Sequence, residues 1–193
     1  MAFINEKLKE VNCKILYYGP ALCGKSTSLR HIYQNIKEQD KGELVSLSTP
    51  QDRTLYFDFL PINLGKRNKF QVRLHLYTVP GEAAYKVARK IIAKGVDGVV
   101  FLADSRLERL EDNLASMVEL KEMIDEEGGE FEKLPMVLQY NKRDLPGAVA
   151  LDELKRLLNP RKVPDFETVA TQGKGIFEAL KSVSAQVLKT LKE

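Results

Sequence analysis

The stretch that decides the fold is Gly19-Pro20-Ala21-Leu22-Cys23-Gly24-Lys25-Ser26-Thr27. It has the pattern of a phosphate-binding loop, in which a glycine is followed, after four further residues, by Gly-Lys and a hydroxyl residue. Residues 13–18 before it predict a buried strand, and residues 28–38 after it predict an amphipathic helix. A glycine-rich turn with a chance lysine is the competing interpretation. The strand before the loop and the helix after it favour phosphate binding.

The residue types in this loop suit an anionic ligand. Glycines let the backbone pass close to a phosphate, and successive N–H groups and the helix N-terminus then point towards it. Lys25 would add a positive charge at the β- and γ-phosphates, and the Ser26 hydroxyl would ligate Mg²⁺. We therefore expect most of the loop to contact a nucleotide, through Gly19, Ala21, Leu22, Cys23, Gly24, Lys25, Ser26 and Thr27.

Composition predicts one globular domain over residues 1–193. Hydrophobic residues make up 44% of the chain and charged residues 30%, which is an ordinary balance for a soluble protein with a sizeable core. The formal net charge of +3 is too small to indicate a nucleic-acid partner. The two cysteines, Cys13 and Cys23, argue against a disulfide framework.

The two ends and the apolar runs predict a cytoplasmic protein. Residues 1–7 lack the apolar region of a signal peptide, and the second residue is Ala2, not the glycine that myristoylation requires. Residues 190–193 hold no cysteine for prenylation. No apolar run approaches membrane-spanning length, so we expect no direct membrane insertion.

Strand and helix patterns alternate along the chain. Strands are predicted at 13–18, 55–60, 70–77, 96–102, 136–140 and 166–170, and helices at 28–38, 83–94, 105–127, 151–158 and 175–192. A turn at 63–69 makes the strand at 70–77 antiparallel to the one before it. The pattern indicates a three-layer α/β fold, with a mostly parallel sheet, one antiparallel strand and helices on both faces. Ligands then bind beyond the carboxyl ends of the strands, where the loops starting at Gly19, Thr78, Asn141 and Thr171 emerge.

A second motif, Asn141-Lys142-Arg143-Asp144, follows a buried strand and indicates a guanine base. The Asp144 carboxylate can accept hydrogen bonds from N1–H and the exocyclic amine of guanine, neither of which adenine offers. A site built on such bonds discriminates by several powers of ten. Ala170 and Thr171 would supply a backbone N–H to the guanine O6. A charged turn is the competing interpretation, and the order of the two motifs disfavours it.

These motifs resemble those of small Ras-like GTPases, and further stretches resemble the MglA family, a bacterial switch in cell polarity and gliding motility. The similarity runs over nearly the whole chain, and the stretches that carry it are Tyr17-Tyr18-Gly19-Pro20, Asp52-Arg53-Thr54-Leu55, Phe57-Asp58-Phe59-Leu60-Pro61 and residues 75–81 and 94–101.

The resemblance implies a GTP/GDP switch with Mg²⁺, with switch I at residues 42–54 and switch II at 78–88. It implies that Thr54 ligates Mg²⁺ and senses the γ-phosphate, that Gly81 contacts the nucleotide, and that Arg53 acts as an internal arginine finger. A surface arginine is the competing interpretation of Arg53. The expected partners are a Roadblock-fold, MglB-like activating protein, which could be a dimer, and polarity or motility effectors. Recruitment to a cell pole could follow.

Three residues depart from the Ras-like pattern. Thr78 stands where an aspartate holds Mg²⁺ through water, so this support must come from elsewhere. Glu82 stands where a glutamine orients the attacking water, and Ala21 replaces a glycine that leaves room for catalysis. We take Arg53, Glu82 and Lys25 as candidate catalytic residues. A slow, partner-dependent hydrolase and a non-hydrolysing GTP-binding scaffold both stay open, whereas an ATP-dependent enzyme would need another motif in place of Asp144.

Overall fold

The computed structural model describes residues 3–48, 54–81 and 85–191. Within them the chain forms eight strands and five α-helices. The strands are β1 (Phe3–Asn5), β2 (Glu10–Tyr18), β3 (Val45–Ser48), β4 (Thr54–Arg67), β5 (Phe70–Thr78), β6 (Gly98–Asp104), β7 (Met136–Asn141) and β8 (Asp165–Glu167). The helices are α1 (Lys25–Asn35), α2 (Lys86–Ala93), α3 (Leu110–Glu126), α4 (Leu151–Leu158) and α5 (Ile176–Thr190).

All eight strands belong to one sheet, in the order β3-β4-β5-β2-β6-β7-β8, with β1 paired to β2. The pairs β2–β5, β2–β6, β6–β7 and β7–β8 are parallel. Along this order only β4 runs against the others, since it is antiparallel to both of its neighbours. The predicted α/β fold is confirmed, and the short antiparallel β1 is an addition that the sequence pattern did not predict.

Helices cover both faces of the sheet. On one face, α1 and α5 bury side chains such as Leu29 and Val183. On the other face, α2, α3 and α4 contribute side chains such as Leu120 and Leu154. Because parallel strands in such a fold have no solvent side, β6 and β7 are buried at every residue. The parallel strands therefore bring their carboxyl ends, and the loops that follow, to one edge of the sheet.

The hairpin of β4 and β5 differs from its prediction. Strand β4 continues through Pro61 to Arg67, and the turn is confined to Asn68 and Lys69, both with positive φ. Within the predicted turn, the register between β4 and β5 shifts between Asn63 and Lys66. Gly65, which lies in the predicted turn, instead lies at a bulge in β4, where its φ is 80°.

Other boundaries also differ from the predictions. Strand β3 lies inside the polar stretch predicted as a loop, and β8 ends at Glu167 instead of residue 170. Helix α1 begins at Lys25, three residues early, because its first turn is made of motif residues that lack the apolar periodicity of the rest. The predicted helix at 151–158 is confirmed at both ends. Among the described residues no helix combines the length and the apolar character needed to cross a membrane.

Candidate functional site

The phosphate loop joins β2 to α1, and two glycines set its shape. Gly19 has a φ of 144°, and a Cβ there would lie 2.2 Å from the carbonyl oxygen of Leu102. Gly24 has a φ of 110°, and a Cβ there would lie 2.2 Å from Nδ2 of Asn141. Since side chains are strained at such φ values and would collide with these neighbours, the loop requires glycine at both positions.

Lys25 lies under this loop with 5% of its surface exposed. Its Nζ donates to the carbonyl oxygens of Gly19 (2.9 Å) and Pro20 (2.7 Å). Burial lowers the pKa of Lys25, because the ammonium has lost water that these two acceptors replace only in part. The first turn of α1 carries no acidic residue, and Ser26 and Thr27 belong to it. The Lys25 ammonium and the Ser26 and Thr27 groups at the start of α1 are donors that fit a phosphate group, and a bound phosphate would offset the buried charge of Lys25.

Asn141 joins the phosphate loop to the loops that are predicted to read the base. Its Nδ2 donates to the carbonyl oxygen of Cys23 over 2.7 Å. Its Oδ1 accepts from the backbone N–H of Ala170 (2.9 Å) and from the hydroxyl of Thr168 (3.1 Å). Asn141 is 2% exposed, so this amide serves the protein and not solvent. The structure therefore brings together three segments that the sequence separates widely.

In the segments that are predicted to read the base, Asp144 and Thr171 are exposed, whereas the Ala170 N–H is used within the protein. The Asp144 side chain is exposed at this edge, where a ligand can reach it. Thr171 is likewise exposed. The Ala170 N–H, expected to face the guanine O6, instead donates to Asn141. In this structure that donor holds the loop junction together.

Lys142 is held by a carboxylate that the sequence reasoning missed. Asp104 ends β6 with no exposed surface, and its Oδ2 accepts from Lys142 Nζ (2.7 Å) and Arg106 Nη2 (2.8 Å). Burial opposes ionisation of Asp104, but the hydrogen bonds from Arg106 and Lys142 outweigh it and hold its pKa below the ordinary value. The sequence feature that could have indicated Asp104 is its place as the single acidic residue at the end of the otherwise apolar strand β6.

A second missed carboxylate, Asp58, lies beside Thr78. The Thr78 hydroxyl donates to Asp58 Oδ2 over 2.7 Å and accepts from the Asp58 N–H over 2.8 Å. The Ser46 hydroxyl donates to Asp58 Oδ1. Asp58 and Thr78 are buried, with 2% and 0% of their surface exposed. The alternation of faces along a strand could have indicated Asp58, because it places Asp58 on the same face of β4 as the core residues Leu60 and Ile62.

Two contacts define the side of the phosphate loop around Ala21. Arg109 Nη2 donates to the Ala21 carbonyl oxygen over 2.8 Å. Gly81 packs so closely that a Cβ on it would lie 2.3 Å from the Ala21 nitrogen. Gly81, in the segment predicted to be switch II, is thus in backbone contact with the phosphate loop. Arg53 and Glu82 lie outside the described residues, and Thr54 is described only as the first residue of β4.

A large cavity lies elsewhere in the molecule. It has a volume of about 910 Å³ and is lined by residues of the β4–β5 hairpin and α5, including Ile62, Phe70, Leu180 and Leu188. No residue of the phosphate loop or of the segment 141–144 lines it. It is therefore separate from the candidate nucleotide site.

Comparison with known proteins gives consistent matches. A family model described as the ADP-ribosylation factor family matches residues 1–187. Mutual gliding-motility protein MglA of Myxococcus xanthus (strain DK1622) is 52% identical over 193 residues, which is 100% of this chain and 99% of that protein. ADP-ribosylation factor-like protein 4A of Homo sapiens is 25% identical over 140 residues, which is 69% of this chain and 66% of that protein. The family match spans every loop of the candidate site.

Proposed function

We propose a function from one premise: the chain belongs to the ADP-ribosylation factor family. It is a small GTPase similar to MglA over its whole length. We infer that residues 1–193 form one GTP-binding domain that switches between GTP and GDP states with Mg²⁺ and hydrolyses GTP slowly. The γ-phosphate would hold switch I and switch II in an ordered conformation, and hydrolysis would release them.

The observation that carries this proposal is the position of Asn141. One buried amide bonds both the phosphate loop, through Cys23, and the loop after β8, through Ala170. The two segments that we propose to bind phosphate and base thus lie at a common edge of the sheet, as binding of one nucleotide would require. Asp144, exposed beside this junction, would select guanine.

Magnesium would be held by hydroxyls and phosphate oxygens, with Ser26 and Thr54 as the protein ligands. The missing aspartate at position 78 has a substitute nearby in Asp58, which Thr78 hydrogen bonds directly. We infer that Asp58 supports the Mg²⁺ shell through Thr78 or water. Bound Mg²⁺ would neutralise charge on the β- and γ-phosphates.

Hydrolysis would depend on Arg53 and on an activating partner. Arg53 can neutralise charge that develops on the transferred phosphoryl group, whereas Glu82 brings a negative charge towards it. We infer that a Roadblock-fold, MglB-like activating protein, acting as a monomer or as a dimer, positions switch I. The process would be motility or polarity, because the similar Myxococcus protein is named for gliding motility. Effectors would bind the GTP form in the cytoplasm, with recruitment to a cell pole.

A second function, a non-hydrolysing GTP-binding scaffold, is favoured by one contact. Gly81 lies against Ala21, the residue that replaces a glycine in the Ras-like pattern. The contact is with the backbone nitrogen and Cα of Ala21, and a methyl group on that Cα, which the Ras-like glycine lacks, would reduce the room beside it for water and for an arginine finger.

The test is identification of the nucleotide bound to purified protein, followed by single-turnover GTP hydrolysis with and without a Roadblock-fold partner. Bound GDP or GTP, with phosphate release that the partner accelerates, is the result expected for the switch. Tight GTP binding without phosphate release in either case would instead establish the scaffold. Bound ATP or ADP would overturn the assignment of guanine.

A further inference from the structure

Arg89 of α2 connects switch II to α3. Its Nη1 donates to the carbonyl oxygen of Pro80 over 3.2 Å, and its Nη2 donates to Oε1 of Glu119 over 2.6 Å. Arg89 is 4% exposed and lies on the same face of α2 as the buried Ala93. A buried guanidinium therefore bridges one backbone acceptor and one carboxylate.

The backbone acceptor of Arg89, the Pro80 carbonyl, belongs to the peptide group that also carries the N–H of Gly81. The Pro80 carbonyl and the Gly81 N–H are parts of the same peptide, which is trans like all peptides of the described chain. In a trans peptide the C=O and the N–H point in opposite directions. A hydrogen bond from Arg89 to the carbonyl thus fixes the direction of the Gly81 N–H, and it also polarises that N–H into a stronger donor.

The peptide lies at the wall of the phosphate site. Gly81 packs against the backbone of Ala21 in the phosphate loop. We propose that Arg89 is a positioning residue that orients the Pro80–Gly81 peptide so that the Gly81 N–H donates to the γ-phosphate, with Glu119 holding Arg89 in place. This inference rests on the proposed function, since it requires GTP at the phosphate loop.

Packing alone does not account for an arginine at this position. A buried ion pair can often be replaced by apolar side chains without loss of stability, and the neighbouring turn of the same helix face uses Ala93. A simple tie between α2 and α3 is also available elsewhere, because Lys90 and Glu126 form an exposed pair at 3.0 Å. The feature peculiar to Arg89 is its second bond, to the peptide of switch II.

The test compares two nucleotides. GDP lacks the γ-phosphate, so a residue that orients the Gly81 N–H affects GTP and not GDP. Affinities for GDP and for a non-hydrolysable GTP analogue are measured for the parent protein, Arg89→Met and the matched control Lys90→Met. We expect Arg89→Met to weaken the GTP analogue on the order of tenfold while GDP changes by less than about twofold. Lys90→Met should leave both affinities unchanged.

Two further variants keep the test decisive if Arg89→Met does not fold. Glu119→Gln keeps an acceptor without the charge, and Arg89→Lys keeps the charge but reaches fewer acceptors. Both should weaken the GTP analogue selectively, by less than Arg89→Met. Equal weakening of GDP and the GTP analogue, or no change in either, would overturn the role of Arg89 while leaving GTP binding established. A parent protein that binds neither nucleotide would overturn both proposals.

Discussion

Asn141 reaches the phosphate loop only because residue 24 is a glycine. A Cβ on Gly24 would lie 2.2 Å from Asn141 Nδ2, and that nitrogen donates to the Cys23 carbonyl over 2.7 Å. The glycine that permits the loop conformation thus also admits the side chain that secures it. Together with the bonds that Asn141 Oδ1 accepts from Ala170 and Thr168, this contact joins the phosphate loop to the loop after β8.

Asn141→Ala is expected to release nucleotide faster. It leaves the Cys23 carbonyl, the Ala170 N–H and the Thr168 hydroxyl buried without their shared partner, at a cost of about 1–3 kcal/mol for each unsatisfied group. GDP dissociation and thermal unfolding are the measurements. Asn159→Ala is the control, because Asn159 bonds Val163 and Asp165 instead. Equal effects of both variants on GDP release would contradict this account.

Asp144→Asn is expected to change the preferred base. The variant loses a carboxylate that accepts from guanine, so GTP affinity should fall on the order of a hundredfold or more, whereas xanthine nucleotides, whose 2-oxo group accepts, should bind better. Competition binding with GTP and XTP measures both effects. Asp152→Asn, in the first turn of α4, removes an exposed carboxylate elsewhere and should change neither. Unchanged GTP affinity in Asp144→Asn would count decisively against base reading.

Lys25→Ala should weaken GTP and GDP roughly 10- to 100-fold, because a buried ammonium is lost from the phosphates. Ser26→Asn should favour GDP or the empty state through loss of the Mg²⁺ ligand.

Burial lowers the pKa of Lys25, and a bound phosphate would raise it. Nucleotide binding should therefore take up a proton at any pH where the lysine of the free protein is neutral. Affinity should therefore fall as pH rises through the lowered pKa, below the 10.5 of an ordinary lysine.

Titration calorimetry over alkaline pH measures this proton uptake. Lys25→Ala should abolish it. If both Lys25→Ala and Ser26→Asn bound GTP and Mg²⁺ normally, the loop would be a structural turn.

Asp58→Asn is expected to lower the affinity of the nucleotide site for Mg²⁺. Residues that support metal ligands from behind typically contribute 10- to 100-fold in metal affinity, so the variant should need roughly tenfold more Mg²⁺ to slow GDP release. The measurement is GDP dissociation across Mg²⁺ concentrations. Thr78→Val, which removes the hydroxyl bonded to Asp58, should shift the curve in the same direction. A Mg²⁺ curve that matches the parent in both variants would rule out this role.

Glu82→Gln is expected to raise intrinsic hydrolysis, because an amide can orient water without repelling the phosphate. Arg53→Ala should depress partner-stimulated hydrolysis and leave GTP binding nearly intact, since an arginine finger acts on the transition state and contributes on the order of 10³ to 10⁵ in rate. Single-turnover hydrolysis decides between this account and a general-base role for Glu82. Slower hydrolysis by Glu82→Gln would favour the general base.

Local sequence determined the parts of this protein that depend on neighbours along the chain. Residues 19–27 specified the phosphate loop because its glycines and Lys25 act over a few positions, and the helix at 151–158 followed from its own apolar period. The alternation of strands and helices was enough to predict the sheet and the edge where its loops meet. The motif ending in Asp144 predicted guanine from the chemistry of one carboxylate.

Only the tertiary structure decided which buried charges have partners. Asp58, Arg89 and Asp104 each stand at positions that a strand or helix pattern assigns to the core, and a pattern cannot say what compensates them there. Their partners, Thr78, Glu119 and Lys142, come from other elements. A buried charge is tolerated only where folding supplies such a partner, so these roles become visible when distant segments are brought together.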